Sequence, residues 1–384
     1  MSNTFLPFSK PCISQEAINE VIDCLKSGWL TTGPRVKLFE EKLSHYLQAP
    51  HTLALISATA GLHLALTALN LQPGDEVITT PLTFVASLNT IVIAGGKPVL
   101  IDVDPHTYNI DVNLLEAAIT PRTRAILPVH FTGQAVDLDP IYQLADKYGL
   151  RVIEDAAQAI GTQYKGKLIG SFGDTQVFSF HPNKVMTTGE GGCVTTRDAA
   201  LAKMINLLRF HGIDREAWNR NAKEGSQVYD VVAPGYKYNM MDMQAALGIH
   251  QLNDLESFIE KRTLLAQRYL NAFKDWPELT LPGIANFEQR HSWYIFCPLI
   301  NETFANMNRD TFIEKMKEEN IGVGLHYIPA HLYTFYQDKY GYKAGDFPHA
   351  ENIGQKICSL PLFPQMTFNE QDRVIETMGK ILKR

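Results

Sequence analysis

A lysine and an aspartate stand where two buried strands are predicted to end. Asp155 closes the apolar run RVIED, and Lys184 follows the run TQVFSF within the segment FSFHPNKVMTTGEGG. Because ligands of open α/β sheets bind at the carboxyl ends of the strands, we expect the two side chains to meet in one crevice. The alternatives are a solvated lysine and an aspartate that only caps a helix. Together the two residues predict a site in which an amine and a carboxylate act side by side.

A small, hydroxyl-bearing turn opens the apolar helix predicted over ISATAGLHLALTAL. Ser57, Ala58 and Thr59 would present backbone N–H groups at the helix N-terminus, a favourable place for a phosphate. An ordinary Ser/Thr helix cap is the alternative. The chain has neither G-x-G-x-x-G after a strand nor G-x-x-x-x-G-K-[ST], so it gives no support to dinucleotide or P-loop binding. Phe84, just after another strand end, is either a core residue or an apolar surface for a planar ligand.

One cofactor accounts for this set of residues. Pyridoxal phosphate (PLP) needs a lysine amine for its covalent bond to the enzyme and a carboxylate that keeps the pyridine nitrogen protonated. It also needs a phosphate-binding turn and an apolar surface against the ring. We therefore predict that Lys184 binds PLP and moves protons, and that Asp155 pairs with the ring nitrogen.

The elements around these residues follow an α/β rhythm. From residue 50 to about 210, short Val/Ile-rich runs alternate with amphipathic stretches, which predicts a largely parallel, buried sheet. A helix is expected over residues 15–27, capped by Ser14 and ended by Gly28. The predicted strands are EVITT (76–80), KPVLIDV (97–103), RAILPVH (124–130), RVIED (151–155), TQVFSF (175–180) and GCVTT (192–196).

The second half of the chain predicts a linking helix and a smaller α+β domain. Residues 242–274 have helical apolar spacing for longer than one ordinary globular helix, which raised the alternative of a break near Asn253. We predict a large PLP-binding domain over residues 1–245. Residues 246–384 are predicted to form a small C-terminal domain that includes the linking helix.

Composition narrows the classes of function and location. The 384 residues carry a net charge of −6 without a Lys/Arg-rich run, which argues against binding of nucleic acid. The five cysteines have no C-x-x-C spacing, so a reducing compartment is expected rather than a disulfide framework. No signal peptide and no apolar run of membrane-spanning length is found. We expect a cytoplasmic protein without membrane partners.

Six ordered segments of the chain resemble the DegT/DnrJ/EryC1/StrS family of sugar-nucleotide aminotransferases. The resemblance covers nearly the whole chain, and it implies a PLP-dependent transferase of fold type I that acts as a homodimer with shared active sites. The segments are SGWLTTGP (27–34), SATAGLHLAL (57–66), VIEDAAQAIG (152–161), FSFHPNKVMTTGEGG (178–192), APGYKYNMMDMQAALG (233–248) and SLPLFP (359–364).

The resemblance assigns roles residue by residue. Besides Lys184 and Asp155, it places Gln158 near the 3-hydroxyl group of the ring and Phe84 over the ring face. Without the resemblance, Gln158, Ser179 and Asn239 have plainer readings as an exposed helix residue, a strand hydroxyl and a helix cap. The phosphate would be held by Ala58, Thr59 and Ser179 of one subunit and by Asn239 of the other.

The same resemblance indicates the substrate. His181, three residues before the lysine, and the following TTGEGG look like the branch that aminates carbon 4 of UDP-4-ketosugars. Segments 322–331 and 357–367 are most similar to the branch that makes UDP-4-amino-4-deoxy-L-arabinose for lipid A, with glutamate and 2-oxoglutarate as the amino donor pair. The residues implied to face the sugar nucleotide are Thr31, His181, His326 and His331.

Several alternatives stay open at this point. Phe84 stands where that branch tends to have tryptophan, so a UDP-4-keto-6-deoxyhexose is the second acceptor. A non-catalytic nucleotide-sugar sensor is disfavoured because Lys184 is retained. A PLP enzyme for amino acids alone would need a carboxylate-binding arginine, for which Arg209 is a candidate. A metal between His326 and His331 is not expected, because Pro329 spoils their helical spacing.

Overall fold

The computed structural model describes residues 4–214 and 229–384. The helices are α1 (Gln15–Ser27), α2 (Pro34–Leu47), α3 (Ala58–Thr67), α4 (Ala86–Ile93), α5 (Leu115–Ala118), α6 (Leu138–Tyr148), α7 (Ala199–Leu208), α8 (Asp242–Phe273), α9 (Glu302–Ala305), α10 (Arg309–Glu318), α11 (Thr334–Tyr340), α12 (Pro348–Lys356) and α13 (Phe368–Ile381). The strands are β1 (His51–Leu55), β2 (Glu76–Thr79), β3 (Lys97–Leu100), β4 (Thr123–Ile126), β5 (Arg151–Asp155), β6 (Gln163–Tyr164), β7 (Lys167–Leu168), β8 (Thr175–Ser179), β9 (Gly192–Thr196), β10 (Leu279–Thr280), β11 (Gln289–Arg290) and β12 (Leu299–Ile300).

A seven-stranded mixed sheet forms the centre of the fold. Its strand order is β1-β9-β8-β5-β4-β2-β3. The pairs from β8 to β3 are parallel, whereas β9 runs antiparallel to both of its neighbours, β1 and β8. Six strands therefore point the same way, and their carboxyl ends share one edge with the first residue of β9. The prediction of a mostly parallel α/β sheet is confirmed.

Both faces of this sheet are buried, which explains the nearly continuous apolar runs of its strands. Alternate residues of a strand enter different cores: Val77 faces the core that includes α3 and α7, while Ile78 faces the core that includes α2, α6 and α8. The same alternation holds for Ile153 and Val152 on β5. The sheet is thus a rigid layer between helices, and its edge can hold side chains in fixed positions.

The long helix α8 belongs to two cores. It runs without interruption for 32 residues, so the structure has no break near Asn253. Its residues up to Ile259 pack in the core beneath the sheet, whereas those from Leu265 onward pack in a second core with α10 and α13. Leu6 from the N-terminal segment joins this second core and bridges to Ile321. We retain the division into two domains at residue 245 as a proposal, with α8 as their shared element.

Local signals fix the ends of the first helix as expected. Ser14 accepts a hydrogen bond from the backbone of Ala17, and Gly28 ends the helix in the left-handed conformation at φ 72°. Among the described residues, no helix has the length and apolar character required to span a bilayer. In the same part of the chain, no three His, Cys, Asp or Glu side chains are grouped for a metal ion.

Candidate active site

The predicted site residues come together at the carboxyl edge of the sheet. Asp155 ends β5 and is 5% exposed, and Lys184 lies in the loop between β8 and β9. The backbone N–H of Lys184 donates to the carbonyl of His181 at 2.9 Å, which closes a turn beneath the lysine. Asp155 and Lys184 interact electrostatically, as the strand ends predict.

The environment of Lys184 changes the chemistry of its amine. Burial lowers the pKa of Lys184 to about 8, because the ammonium ion loses its water, while the charge of Asp155 acts in the opposite direction. The amine lies 4.2 Å from the centre of the Tyr294 ring. Tyr294 is buried, and its hydroxyl oxygen has no hydrogen-bond partner among the described residues. An amine with this pKa is partly neutral near physiological pH, so it can act as a nucleophile and exchange protons.

Asp155 is held by groups from three directions. Ser87 Oγ donates to Asp155 Oδ2 at 2.6 Å, and the backbone N–H of Ala157 donates to Oδ1 at 3.1 Å. The backbone carbonyl of Asp155 accepts from the N–H of His130 at 3.1 Å. The sequence analysis did not predict a role for Ser87. The available signal was a hydroxyl residue three positions after Phe84. The result is a carboxylate with a fixed orientation at the sheet edge.

A buried network lies behind Asp155. Glu154, its neighbour on β5, accepts from the hydroxyl of Tyr142 at 2.6 Å and from the amide of Gln176 at 2.7 Å. His130 Nε2 contacts Glu154 Oε2 at 2.8 Å, and both side chains are fully buried. Tyr142 lies on α6 and Gln176 on β8, and His130 is fully buried, so the network fixes the end of β5 and thereby the position of Asp155.

The turn predicted to bind phosphate also has the expected form. Ser57 caps α3 by accepting from the backbone of Ala60 at 3.1 Å, which leaves the first N–H groups of Ala58 and Thr59 outside the helix pattern. Thr59 is exposed. Ser179, at the end of β8, pairs across the sheet with Gly192, the first residue of β9.

Gly192 is the point around which this turn is built. A Cβ atom at this position would lie 2.5 Å from the nitrogen of Ala58 and 2.6 Å from the carbonyl oxygen of Phe178. Both atoms belong to the backbone and cannot move aside easily. The glycine therefore allows the N-terminus of α3 to approach β8 and β9, so that both Ala58 and Ser179 are neighbours of Gly192.

Aromatic side chains form the other side of the site. Phe84 is 54% exposed and its ring centre lies 5.8 Å from that of Tyr327. Tyr327 is close enough to Asp155 for the carboxylate to raise the pKa of its hydroxyl, although burial is the larger cause. Tyr327 was not among the predicted site residues. Tyr327 thus lies between Phe84 and Asp155, and a large exposed ring near this carboxylate suits a flat ligand.

Gln158 and His326 are both buried at the site. Gln158 is 4% exposed, and its amide oxygen accepts from the backbone N–H of Thr132 at 2.7 Å, which fixes the orientation of the amide. His326 Nδ1 contacts Ser359 Oγ at 2.8 Å. Burial lowers the pKa of His326 to about 3, and the charge of Lys184 contributes in the same direction. His326 is therefore a neutral neighbour of Lys184.

The remaining predicted residues have different surroundings. Thr31 and His181 are exposed, and His181 Nδ1 contacts Asn183 Oδ1 at 2.8 Å. His331 is fully buried and its Nε2 contacts Glu351 Oε1 at 3.0 Å, so it presents no surface to a ligand. Of these two predicted sugar contacts, His326 lies beside Lys184, whereas His331 is paired with Glu351.

Asn239 lies beside the end of β1 and is 6% exposed. Its amide donates to Thr32 Oγ1 and its oxygen accepts from Lys237 Nζ at 2.7 Å. Asn239 lines an open cavity of about 1030 Å³ whose walls include Arg209 but neither Lys184 nor Asp155. Arg209 itself is engaged by Glu40 and by the carbonyl of Ala54.

These residues fit PLP. The lowered pKa of Lys184 suits covalent attachment, Asp155 offers a carboxylate, and the glycine-dependent turn at α3 offers N–H groups to a phosphate. Phe84 supplies exposed ring surface. Fold and site together define a class, the PLP-dependent aminotransferases of fold type I.

The chain belongs to the DegT/DnrJ/EryC1/StrS aminotransferase family, whose model matches residues 11–379. The spore coat polysaccharide biosynthesis protein SpsC of Bacillus subtilis is 47% identical over 382 residues, which are 99% of this chain and 98% of that protein. The UDP-4-amino-4-deoxy-L-arabinose–oxoglutarate aminotransferase of Shewanella sediminis is 42% identical over 386 residues, 100% of this chain and 99% of that protein.

Solved structures show the same relationship. The PLP form of Spr1654 from Streptococcus pneumoniae, a proposed sugar aminotransferase, superimposes with a TM-score of 0.91 at 33% identity and covers 99% of both chains. The protein is accordingly a PLP-dependent sugar aminotransferase, and the fold class, cofactor and enzyme class predicted from the sequence are confirmed.

Proposed function

We propose that this protein transfers an amino group from glutamate to carbon 4 of a UDP-linked 4-ketosugar, with a UDP-4-ketopentose as the preferred acceptor. The observation that carries the proposal is the combination of Lys184, with its pKa near 8, and Asp155 at one sheet edge in a chain of this family. The name of the Shewanella relative supports the ketopentose. Phe84, which stands where the arabinose branch tends to have tryptophan, keeps the 6-deoxyhexose as runner-up.

Each side chain has a proposed task toward PLP. Lys184 binds the cofactor and moves protons at the reacting carbon, because at pH 7.5 an amine with a pKa of about 8 is neutral in roughly a quarter of the molecules. Asp155 holds a proton on the ring nitrogen. When bound, PLP supplies the electron sink that stabilises negative charge on that carbon. The proposed contacts to its phosphate, its 3-hydroxyl group and its ring face are Ala58, Thr59, Ser179, Gln158 and Phe84.

The proposed assembly is a cytoplasmic homodimer in which each active site is shared. Asn239 would reach the cofactor phosphate of the partner subunit, which agrees with its place on an open cavity away from Lys184. All five cysteines are unpaired, as expected in a reducing compartment. Thr31, His181 and His326 are the proposed contacts to the sugar nucleotide. The product would enter synthesis of a surface glycan, with lipid A modification as the first candidate.

A panel of UDP-4-ketosugars with glutamate as the donor tests the substrate. We expect kcat/KM to be highest for the ketopentose, although one extra methyl group changes binding by only ~1–3 kcal/mol, so the deoxyhexose should also react. A much higher kcat/KM for the deoxyhexose reverses the order of the two acceptors. Absence of any spectral change with glutamate would favour a non-catalytic sensor instead.

Labelling tests the site independently of the substrate. Borohydride reduction of the PLP-loaded protein, followed by peptide mapping, should find the pyridoxyl group on Lys184. A label on another lysine would contradict the assignment of the whole site.

A further inference from the structure

The carboxylate of Asp155 receives its shortest side-chain hydrogen bond from a residue that no family motif singled out. Ser87 lies in the first turn of α4 and is fully buried, and its Oγ is 2.6 Å from Asp155 Oδ2. Ser87 Oγ also lies 2.8 Å from Thr83 Oγ1 and 3.3 Å from the carbonyl of Phe84. A hydroxyl has one proton, and the shorter bond to an ionised acceptor is the stronger one. The proton of Ser87 therefore points at Asp155.

A second hydroxyl completes a chain. Thr83 Oγ1 lies 2.8 Å from Ser87 Oγ, and Thr83 is 1% exposed. Because Ser87 donates its proton to the carboxylate, Thr83 must be the donor to Ser87. Hydrogen bonds in such a chain polarise one another, so Thr83 strengthens the bond from Ser87 to Asp155.

The same turn carries Phe84, the proposed cover of the cofactor ring. Its backbone is fixed by the bond from the N–H of Ser87 to the carbonyl of Phe84, at 3.2 Å, and by α4, which is anchored through Asn89 to the hydroxyl of Tyr336. One turn of chain therefore sets both the ring surface and the partner of the carboxylate. A turn with only apolar side chains would provide the ring surface but no hydrogen-bond donor for Asp155.

We propose that Ser87 is a positioning residue for Asp155, with Thr83 as the second link of the chain. This inference rests on the proposed role of Asp155 toward PLP. The hydroxyl chain stabilises negative charge on the carboxylate and fixes which oxygen faces the cofactor, so the shared proton stays on the ring nitrogen. Neither hydroxyl touches the reacting atoms.

The test compares Ser87→Ala and Thr83→Val with a matched control, Thr90→Val. Thr90 lies on the same helix, is fully buried and donates to the backbone carbonyls of Ala86 at 2.8 Å and of Ser87 at 3.3 Å, with no hydrogen bond among the described residues to Ser87 Oγ or to Asp155. The three proteins are loaded with PLP labelled with nitrogen-15 on the ring. The ring-nitrogen NMR signal, kcat, KM and melting temperature are then measured for each.

Loss of the Ser87 bond should lower kcat about 10-fold to 100-fold, the range expected for one hydrogen bond to a charged group, with KM changed far less. The nitrogen signal should move toward its unprotonated position. Thr83→Val should change both in the same direction by a smaller factor, and Thr83→Ser should restore them. Thr90→Val should lower only the melting temperature.

A purely structural role for Ser87 predicts a different pattern, in which the melting temperature falls while kcat and the nitrogen signal stay at wild-type values. That pattern would overturn the proposal. Should Ser87→Ala not fold, equal kcat and nitrogen signals in Thr83→Val and Thr90→Val would overturn it as well. Asp155→Asn is measured in parallel to separate the proposed role of Ser87 from the proposed role of Asp155. If Asp155→Asn keeps wild-type kcat, the role of Asp155 itself is wrong.

Discussion

The amine of Lys184 should titrate far below an ordinary lysine in the protein without cofactor. Burial brings its pKa to about 8, against the opposing effect of Asp155. At pH 7 such an amine is neutral in roughly one molecule in ten, whereas an ordinary lysine is neutral in roughly one in 3000. The reactive, neutral form is therefore raised about 300-fold.

Replacement of Tyr294 by leucine should lower this pKa further. The ring lies 4.2 Å from the amine, and a ring face stabilises the charged ammonium form. A contribution of about 0.5–2 kcal/mol corresponds to a fall of about 0.4–1.5 pKa units when the ring is removed. Tyr294→Phe is the matched control, because it keeps the ring face and removes only a hydroxyl that has no partner among the described residues.

Competitive labelling measures this titration. Cofactor-free protein is treated with trace acetic anhydride between pH 6 and 11, and acetylation of the Lys184 peptide is quantified against exposed lysines of the same sample. The midpoint should lie near pH 8 in the wild type and in Tyr294→Phe, and lower in Tyr294→Leu and in Asp155→Asn. A wild-type midpoint near that of an ordinary lysine would refute the effect of burial. Identical midpoints in the leucine and phenylalanine variants would refute the effect of the ring.

Three further predictions follow from the same structure. Asp155→Asn should keep part of its PLP but lose most activity, whereas a mere helix cap predicts near-normal turnover, since asparagine caps as well as aspartate. His291 and His326 each have a pKa of about 3 in the folded chain because of burial, so the unfolded chain binds more protons below about pH 6.5. Urea titrations should show stability falling between about pH 6 and 4, with about 1.4 kcal/mol per pH unit from each of these two histidines, and His326→Gln should remove about that amount from the slope; an unchanged slope would contradict the assignment. Co-expression of Lys184→Ala and Asn239→Lys chains should restore roughly a quarter of wild-type activity if Asn239 serves the partner's site, because about half of the dimers are mixed and half of their sites are intact. No recovery in proven mixed dimers would assign Asn239 to its own subunit.

The sequence predicted those parts of the site that depend on strand ends. A buried parallel sheet places the carboxyl ends of its strands together, so Asp155 and the loop of Lys184 could be located without any knowledge of distant contacts. The same reasoning found the cap of α3, because caps are local signals. Strand β1 was missed although Pro50 separates it from the helix before it, because its short sequence, HTLAL, contains no Val or Ile and has no clear strand pattern.

The residues that were missed come from elsewhere in the fold. Tyr294 and Tyr327 reach Lys184 and Asp155 from segments more than 100 residues away, and no local pattern specifies which distant ring will pack there. The resemblance offered both His326 and His331 as sugar contacts. Only His331 lies in the short 3-10 helix Ala330–Leu332, so the two residues share no helix face, and His331 forms a buried pair with Glu351.

The reversed direction of β9 decides how the lysine can move. Because β9 runs antiparallel to β8, the twelve residues that join them, 180–191, leave and re-enter the sheet at the same edge. The connection that carries Lys184 is closed at both ends by bonds from the N–H of Phe180 to Gly191 and from the N–H of Thr188 to Phe180, at 2.9 and 3.0 Å. Because these bonds fix the ends of the loop, the amine of Lys184 moves by rotation of its own four-carbon side chain. Rotamer changes of exposed side chains take nanoseconds or less and loop motions up to the order of microseconds, against turnover times on the order of 0.1 s for a typical enzyme, so rotation of the lysine side chain is expected to be faster than turnover.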